Sequence, residues 1–466
     1  MTQDMNHTIT KVLKAMLVAM MMSLTGGNAI AQVKVKGNVF GGGNEADVQT
    51  NTEVNISAGS VEGNVYGGGN LGDVGRINRT LSGFNYKWTD DAVSTSDPAD
   101  KTYDYNNTGS CKVQITGGTI GANGISTANH ASGHVFGAGK GATSSFYCEK
   151  GMVYTTSVTI SKGTVYGNVY GGGEVGRVES DAIVSIDGTN ENDTEIKGGV
   201  FGAGAGVETH GYSALLRGDA TVTVQGKAKV GMNVYGGGEI ASVGRFKVEN
   251  SLPTKPLSGG TCKVTIQGDA QVGTGSDGGS VYGACKGVEP GNYSSATHVI
   301  SDGSSQGFTG ANAEADYLAF LKTLALTSNT DVTIDGNASV NGSIYGGGRR
   351  GVTLGSVAVN MTGGTVTNDV YGGGALADTN TGNWHADYGE VAGLTTGDIV
   401  TGYYTRSGEG TPTNPYIYNE ITAANTPFDA GTTYYSINTW AHVTKKSALY
   451  TTNVSLTGIA RSEERR

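Results

Sequence analysis

One motif recurs through this chain and limits what it can fold into. A β-branched residue, an aromatic ring and three small residues, as in "VYGGG", appear nine times, with the ring at Phe40, Tyr66, Phe136, Tyr170, Phe201, Tyr235, Tyr282, Tyr345 and Tyr371. The shortest interval between rings is 26 residues and it occurs twice, at Phe40–Tyr66 and Tyr345–Tyr371. The bare unit is therefore about this long, and the longer intervals carry insertions.

The rest of the unit is equally regular. Four residues before the anchor's Val or Ile stands another branched residue: Val35 before Val39, Val61 before Val65, Val165 before Val169, Val366 before Val370. Further upstream lies an alternating pair, such as Val54/Ile56, Val113/Ile115, Val184/Ile186 and Val332/Ile334. Apolar residues at every second position have strand spacing, and branched side chains suit a pleated surface. The links between first and second strand hold Gly, as in "VQITGGTI" and "VTIDGNASV", where the chain must turn with positive φ. Each unit reads as strand, Gly turn, short strand, Gly-Asn turn, then Val-Tyr and a triple-glycine corner.

A unit this small cannot bury its own Val and Ile, but stacked copies share one core. The expected fold is all-β, a right-handed parallel β-helix (β-solenoid) of about nine coils with loop insertions. The alternative is a β-propeller, whose blades need four strands and regularly placed hairpin turns. Residues 32–378 form the repeat region. Insertions fall at about 81–109 and at 290–331, where "ANAEADYLAFLKTLAL" has a helical apolar face. Residues 379–447 form a longer insertion rich in Tyr and Trp. Residues 448–466 begin a further coil with Val454 and Leu456, then depart from the pattern in "ARSEERR". That departure reads as an array cut short, or as a charged guard for a sheet edge.

Residues 1–31 have the form of an export signal. Lys11 and Lys14 precede the apolar run "AMLVAMMMSL", and small residues lead to cleavage between Ala31 and Gln32. The chain is expected to be exported, to the cell surface or beyond, and nothing after Leu24 is apolar long enough for a membrane helix. A net charge of −10, from 31 Lys and Arg against 41 Asp and Glu, argues against a nucleic-acid surface.

Motifs with chemistry are weak throughout. Gly67, Gly69 and Gly72 match a dinucleotide spacing, but no helix pattern follows. Asp47 and Asp73 follow their glycine runs as in calcium-binding nonapeptides. Later copies hold Lys140, Glu174, Lys286 or Arg349 just after the glycines, so no ligand column is built and any Ca²⁺ would be incidental. Those post-glycine positions are expected to lie in solvent. No cofactor is expected. A carbohydrate-active β-helix enzyme, a lyase or hydrolase, would need clustered carboxylates. Asp90-Asp91 and the set Asp181, Asp187 and Asp193 are the candidates, although turn formation explains Asp187-Gly188 as well. Four cysteines offer disulfides in an exported chain. The preferred pairing is Cys111–Cys148 with Cys262–Cys285, and buried free thiols are the alternative.

The signal, the stacked "V-x-x-x-V-[YF]-G-G-G" units and the polar insertions together resemble secreted bacterial β-helix proteins of the adhesin or autotransporter-passenger type. The resemblance implies a non-enzymatic rod, displayed or released, that contacts host or matrix glycans or proteins. The aromatic-rich insertion is where such contact is expected.

Overall fold

The computed structural model describes residues 32–75, 108–122, 132–142, 150–190, 193–208, 213–249, 252–275, 279–289, 314, 317–318, 321–383, 388–409, 411, 416–437 and 450–457. The expected export signal and most of the insertion at 81–109 lie outside them. The structure is all-β with almost no helix, and its strands form long parallel sheets, an arrangement compatible with the expected β-solenoid.

The repeat positions found in the sequence become columns in space. The anchors pair Val on Val and ring on ring in a nine-stranded parallel sheet running from Val39–Phe40 to Val370–Tyr371. The alternating pairs form a second parallel column, in which Val184 lies between Val158 and Val222, and Ile186 between Ile160 and Val224. The short strands form a third, for example Val165–Ile196–Val230–Val272. Ser110–Ile120 and Thr155–Val165 run through both of the latter columns, which joins them into one 16-stranded sheet. Single parallel bridges form a further column through Val153, Val178, Leu216, Val243, Thr327 and Thr353.

Alternation sends the branched residues inward. Val113, Val158, Val184, Val222, Val264 and Val332 are fully buried in one continuous core, together with the Val of each interior anchor. Each is about 1.5–3 kcal/mol of side-chain burial that no single unit could achieve alone. The two kinds of glycine do different work. In the link after Ile115, Gly118 has φ of +86°, a conformation that disfavours a side chain. The corner glycines are instead a matter of space: a Cβ on Gly171 would lie inside the Gly202 carbonyl of the next unit.

Two polar ladders hold the corners in register. From Asn38 to Asn168, the residue before the anchor accepts the backbone N–H of its counterpart one unit on: Asn38 from Asn64, Asn64 from His134, His134 Nδ1 from Asn168, and Asn168 from Gly199, at 2.8–2.9 Å. His134 is buried and accepts through Nδ1, so in this ladder it acts as an asparagine does. At the opposite corner Asp181 accepts from Asp219, and Asp219 from Thr261. Inside the stack, Thr52, Thr156 and Thr330 each donate a hydroxyl to the first glycine carbonyl of the same unit.

Beside the column of single bridges lies a buried charge cluster. Glu179 meets Arg177 at 3.2 Å and Arg217 at 2.8 Å, with all three side chains at most 5% exposed. In the insertion at 290–331, residues 314, 317, 318 and 321 are helical. Tyr317, Leu321 and Leu324 are buried, with the Tyr317 hydroxyl donating to Glu208 at 2.6 Å. Thr452–Leu456 pairs with Val357–Met361 in the repeat's own register, Val454 on Val359 and Leu456 on Met361.

Candidate interaction surface

The anchor rings form a single column. From Phe40 to Tyr371, neighbouring ring centroids are 4.7–5.0 Å apart and their planes within 11° of parallel. That spacing is the rise between paired strands, so the stack is dictated by register. The rings from Tyr66 to Tyr282 are buried and Tyr345 is partly buried, while Tyr371 at one end is 44% exposed.

Three residues that follow glycine runs, Glu174, Glu239 and Arg349, do not lie free in solvent, as the variability of the position suggested, whereas Asn44 is exposed. These three fold back over the ring column. Glu174 accepts the Tyr66 hydroxyl, and Glu239 accepts the Tyr170 hydroxyl at 2.5 Å while also pairing with Lys286 at 2.6 Å. Arg349 hydrogen-bonds Tyr235. In all three cases the partner ring belongs to the unit two before. The signal missed in the sequence is this offset: polar residues of both signs suit the position, because a phenol both donates and accepts.

Burial, and then the Glu174 and Glu239 carboxylates, push the Tyr66 and Tyr170 phenols well above their ordinary range, and burial does the same to Tyr235. The folded state thus holds these protons longer than the unfolded chain, whose phenols titrate near 10. The stability they contribute is fully present below about pH 10 and is lost as pH rises beyond it. The urea midpoint is expected to fall steeply above pH 10, and less steeply in a Tyr66→Phe/Tyr170→Phe variant. Equal slopes would contradict this account.

The other sequence-selected residues fall in structural places. Cys111, Cys262 and Cys285 are free, buried thiols, so the Cys262–Cys285 pair is not bonded here, and Cys148 lies outside the described residues. Cys111 and Cys262 stand in the same column as Thr52, Thr156 and Thr330. Burial pushes the Cys111 thiol up to about 12 and that of Cys285 to about 11, which removes thiolate character near neutrality. Asp181 immediately precedes the strand Ala182–Gly188 and Asp187 lies near its end, about 20 Å away at strand rise. Asp187 accepts from Gln225, and Asp193 faces Asn190 and Lys162. The three carboxylates therefore do not converge. Among the described residues no group of three or more His, Cys, Asp or Glu is placed to hold a metal ion. Asp90, Asp91, Ala31 and the signal lie outside the described residues; Gln32 is exposed, two residues before the first strand.

The aromatic-rich insertion builds a sheet of its own. Tyr388–Glu390, Tyr404–Ser407, Ile417–Glu420 and Tyr435–Ile437 form four antiparallel strands. Tyr404, Tyr434 and Tyr435 are buried within it. Arg406 is exposed, with its guanidinium 4.3 Å from the Tyr416 ring and 4.9 Å from that of Tyr435, and hydrogen-bonded to Tyr418. Tyr416 and Ile417 are 47% and 54% exposed. Two rings hold a planar cation at the surface in a fixed orientation, ready for a carboxylate, a sulfate or a sugar face. Trp384 and Trp440 lie outside the described residues. No family model, curated protein or solved structure matches the chain.

Proposed function

We propose that the repeat is a right-handed parallel β-helix of about nine coils, and that the chain is a non-enzymatic, exported repeat protein with an adhesive or structural role at the cell surface. The reading is supported by how the side chains are used. At repeat positions the branched, aromatic, small and polar residues are committed to stacking. The insertion at 388–437 instead presents Arg406 and Tyr416 outward, where a partner can reach them. The partner class is a host or matrix glycan or protein with acidic groups, which a ring-held guanidinium can pair in two-pronged fashion.

Retention on immobilised acidic glycans and matrix proteins tests this. Arg406→Ala is expected to weaken binding about tenfold, close to 1.4 kcal/mol, and Arg406→Lys to restore only part of it. The melting temperature should stay unchanged, since Arg406 is exposed. Unaltered retention by both variants would count against the contact. Release of sugar fragments from a polysaccharide, abolished by Asp187→Asn, would defeat the non-enzymatic reading altogether.

A further inference from the structure

The ring column is graded in charge. Glu174 and Glu239 stand at the phenols of Tyr66 and Tyr170, and Arg349 stands at that of Tyr235. A negative charge beside a ring eases the loss of an electron, and a positive charge opposes it. An electron vacancy among these rings is therefore drawn from Tyr235 toward Tyr170 and Tyr66. The path is continuous. Phe201 lies 4.8 Å from both Tyr235 and Tyr170, and Phe136 lies 4.8 Å from Tyr170 and 5.0 Å from Tyr66, all with nearly parallel planes.

We infer that the column is a one-electron relay: a diffusible one-electron oxidant takes an electron from the stacked rings, and the vacancy comes to rest as a neutral tyrosyl radical at Tyr170 or Tyr66, with the proton held by Glu239 or Glu174. This redox chemistry is separate from the adhesive reading and uses no residue of the Arg406 sheet.

Both phenols are placed to lose a proton and an electron together. The Tyr66 hydroxyl donates to Glu174 Oε2 and accepts from the Asn64 amide at 3.1 Å. The Tyr170 hydroxyl donates to Glu239 Oε2 at 2.5 Å and accepts from the Asn168 amide at 2.8 Å. Burial and the carboxylates hold both phenols protonated well past neutrality, so the electron leaves a protonated ring. An oxidised phenol is a strong acid, and a carboxylate already hydrogen-bonded to it is a base in position. The phenol O–H bond breaks, an O–H bond forms at the carboxylate Oε2, and one electron passes to the oxidant, which is reduced. The pair carries one negative charge before the step and none after it, which suits a buried site. The phenoxyl oxygen is now an acceptor only, and the Asn amide still donates to it. A one-electron reductant reverses the step, and the proton returns along the same hydrogen bond. Tyr66 and Tyr170 are fully buried, which keeps their radicals from solvent and from coupling with a second radical. Tyr371 also meets a carboxylate, Asp369 at 3.0 Å, but it is 44% exposed, and Tyr416 is 47% exposed, so radicals at these two are open to both fates.

The test uses the full chain with photogenerated tris(bipyridine)ruthenium(III) as the oxidant, and follows the radical by electron paramagnetic resonance. Wild type is expected to hold a tyrosyl radical at least about tenfold longer than Tyr66→Phe/Tyr170→Phe, in which only exposed tyrosines give short-lived signals. Glu174→Gln/Glu239→Gln keeps the shape and replaces each base by an amide, and it should shorten the lifetime by a similar factor. Tyr317→Phe removes a phenol that donates to Glu208 outside the column, and it should change nothing. Circular dichroism checks that each variant keeps its sheet. Should a double variant lose it, the wild-type radical decides alone: couplings to exchangeable protons at the phenoxyl oxygen, lost in D2O, are expected, and their absence overturns the inference. Equal lifetimes in wild type and the double Phe variant place the radical elsewhere and overturn it, as does an unchanged lifetime in the double Gln variant.

Discussion

Gly171→Ala is expected to destabilise the stack by about 3 kcal/mol or more, an effect out of proportion to one methyl group. The added Cβ would fall inside the Gly202 carbonyl and 3.1 Å from Val184 Cγ2. Neither neighbour has room to yield. The Gly202 N–H bonds Tyr235 and the Gly171 N–H bonds Phe201, so both corners are fixed by the ladder, and Val184 is fully buried. The Gly171 carbonyl also accepts the Thr156 hydroxyl at 2.6 Å. Moving one corner therefore displaces two hydrogen-bonded layers and a core residue together. Gly37→Ala is the control, since nothing lies within 4 Å of a Cβ there, and it should change stability by less than about 0.5 kcal/mol. Urea midpoints of the two variants decide the matter, and similar values would show that the corner glycines are not selected by contact between coils.

Glu179→Gln should be as damaging, at about 3–5 kcal/mol. The substitution keeps the shape and removes the charge that balances two buried guanidiniums, Arg177 and Arg217. Water cannot replace it, because the cluster is sealed. The pair Lys34–Glu62 is a fair comparison: its contact is as short, at 2.7 Å, but its side chains are 55% and 38% exposed. Glu62→Gln should leave the unfolding midpoint where it is, and high salt should not reproduce the loss seen at Glu179. If the two Glu→Gln variants unfold alike, the burial of the cluster has no energetic consequence.

The parallel strands were legible in the sequence because stacking in register forces like residues into like places. Val113, Val158, Val184 and Val222 share one environment, and so the period shows. The corner glycines were legible for the same reason, since the first of them, from Gly41 to Gly346, is approached by a carbonyl of the next unit. The post-glycine residues were not. Glu174 and Glu239 serve rings 108 and 69 residues earlier, and the requirement there is only a polar group long enough to reach a phenol. Such a position looks variable and therefore free. Cys285 hid in a similar way. It takes the third glycine's place in its corner and directs its sulfur to Thr327 Oγ1, 3.2 Å away, so what looked like half of a disulfide is a small side chain filling a gap. The sheet at 388–437 lacks a repeat altogether, and the ring-held cation at Arg406 arises from strand pairing that no local spacing announces.

The two-unit reach of Glu174, Glu239 and Arg349 bears on how such a stack would come apart under load. A unit peeled from one end of a stack ordinarily has to release only its neighbour. Where these side chains span three layers, the next layer but one must let go at the same moment. Tension applied along the axis would therefore be resisted in blocks rather than coil by coil, with yield points set by the staples around Tyr66, Tyr170 and Tyr235. The units of Phe40 and Tyr371 both lie outside these staples, so unzipping from either end would meet unstapled layers first.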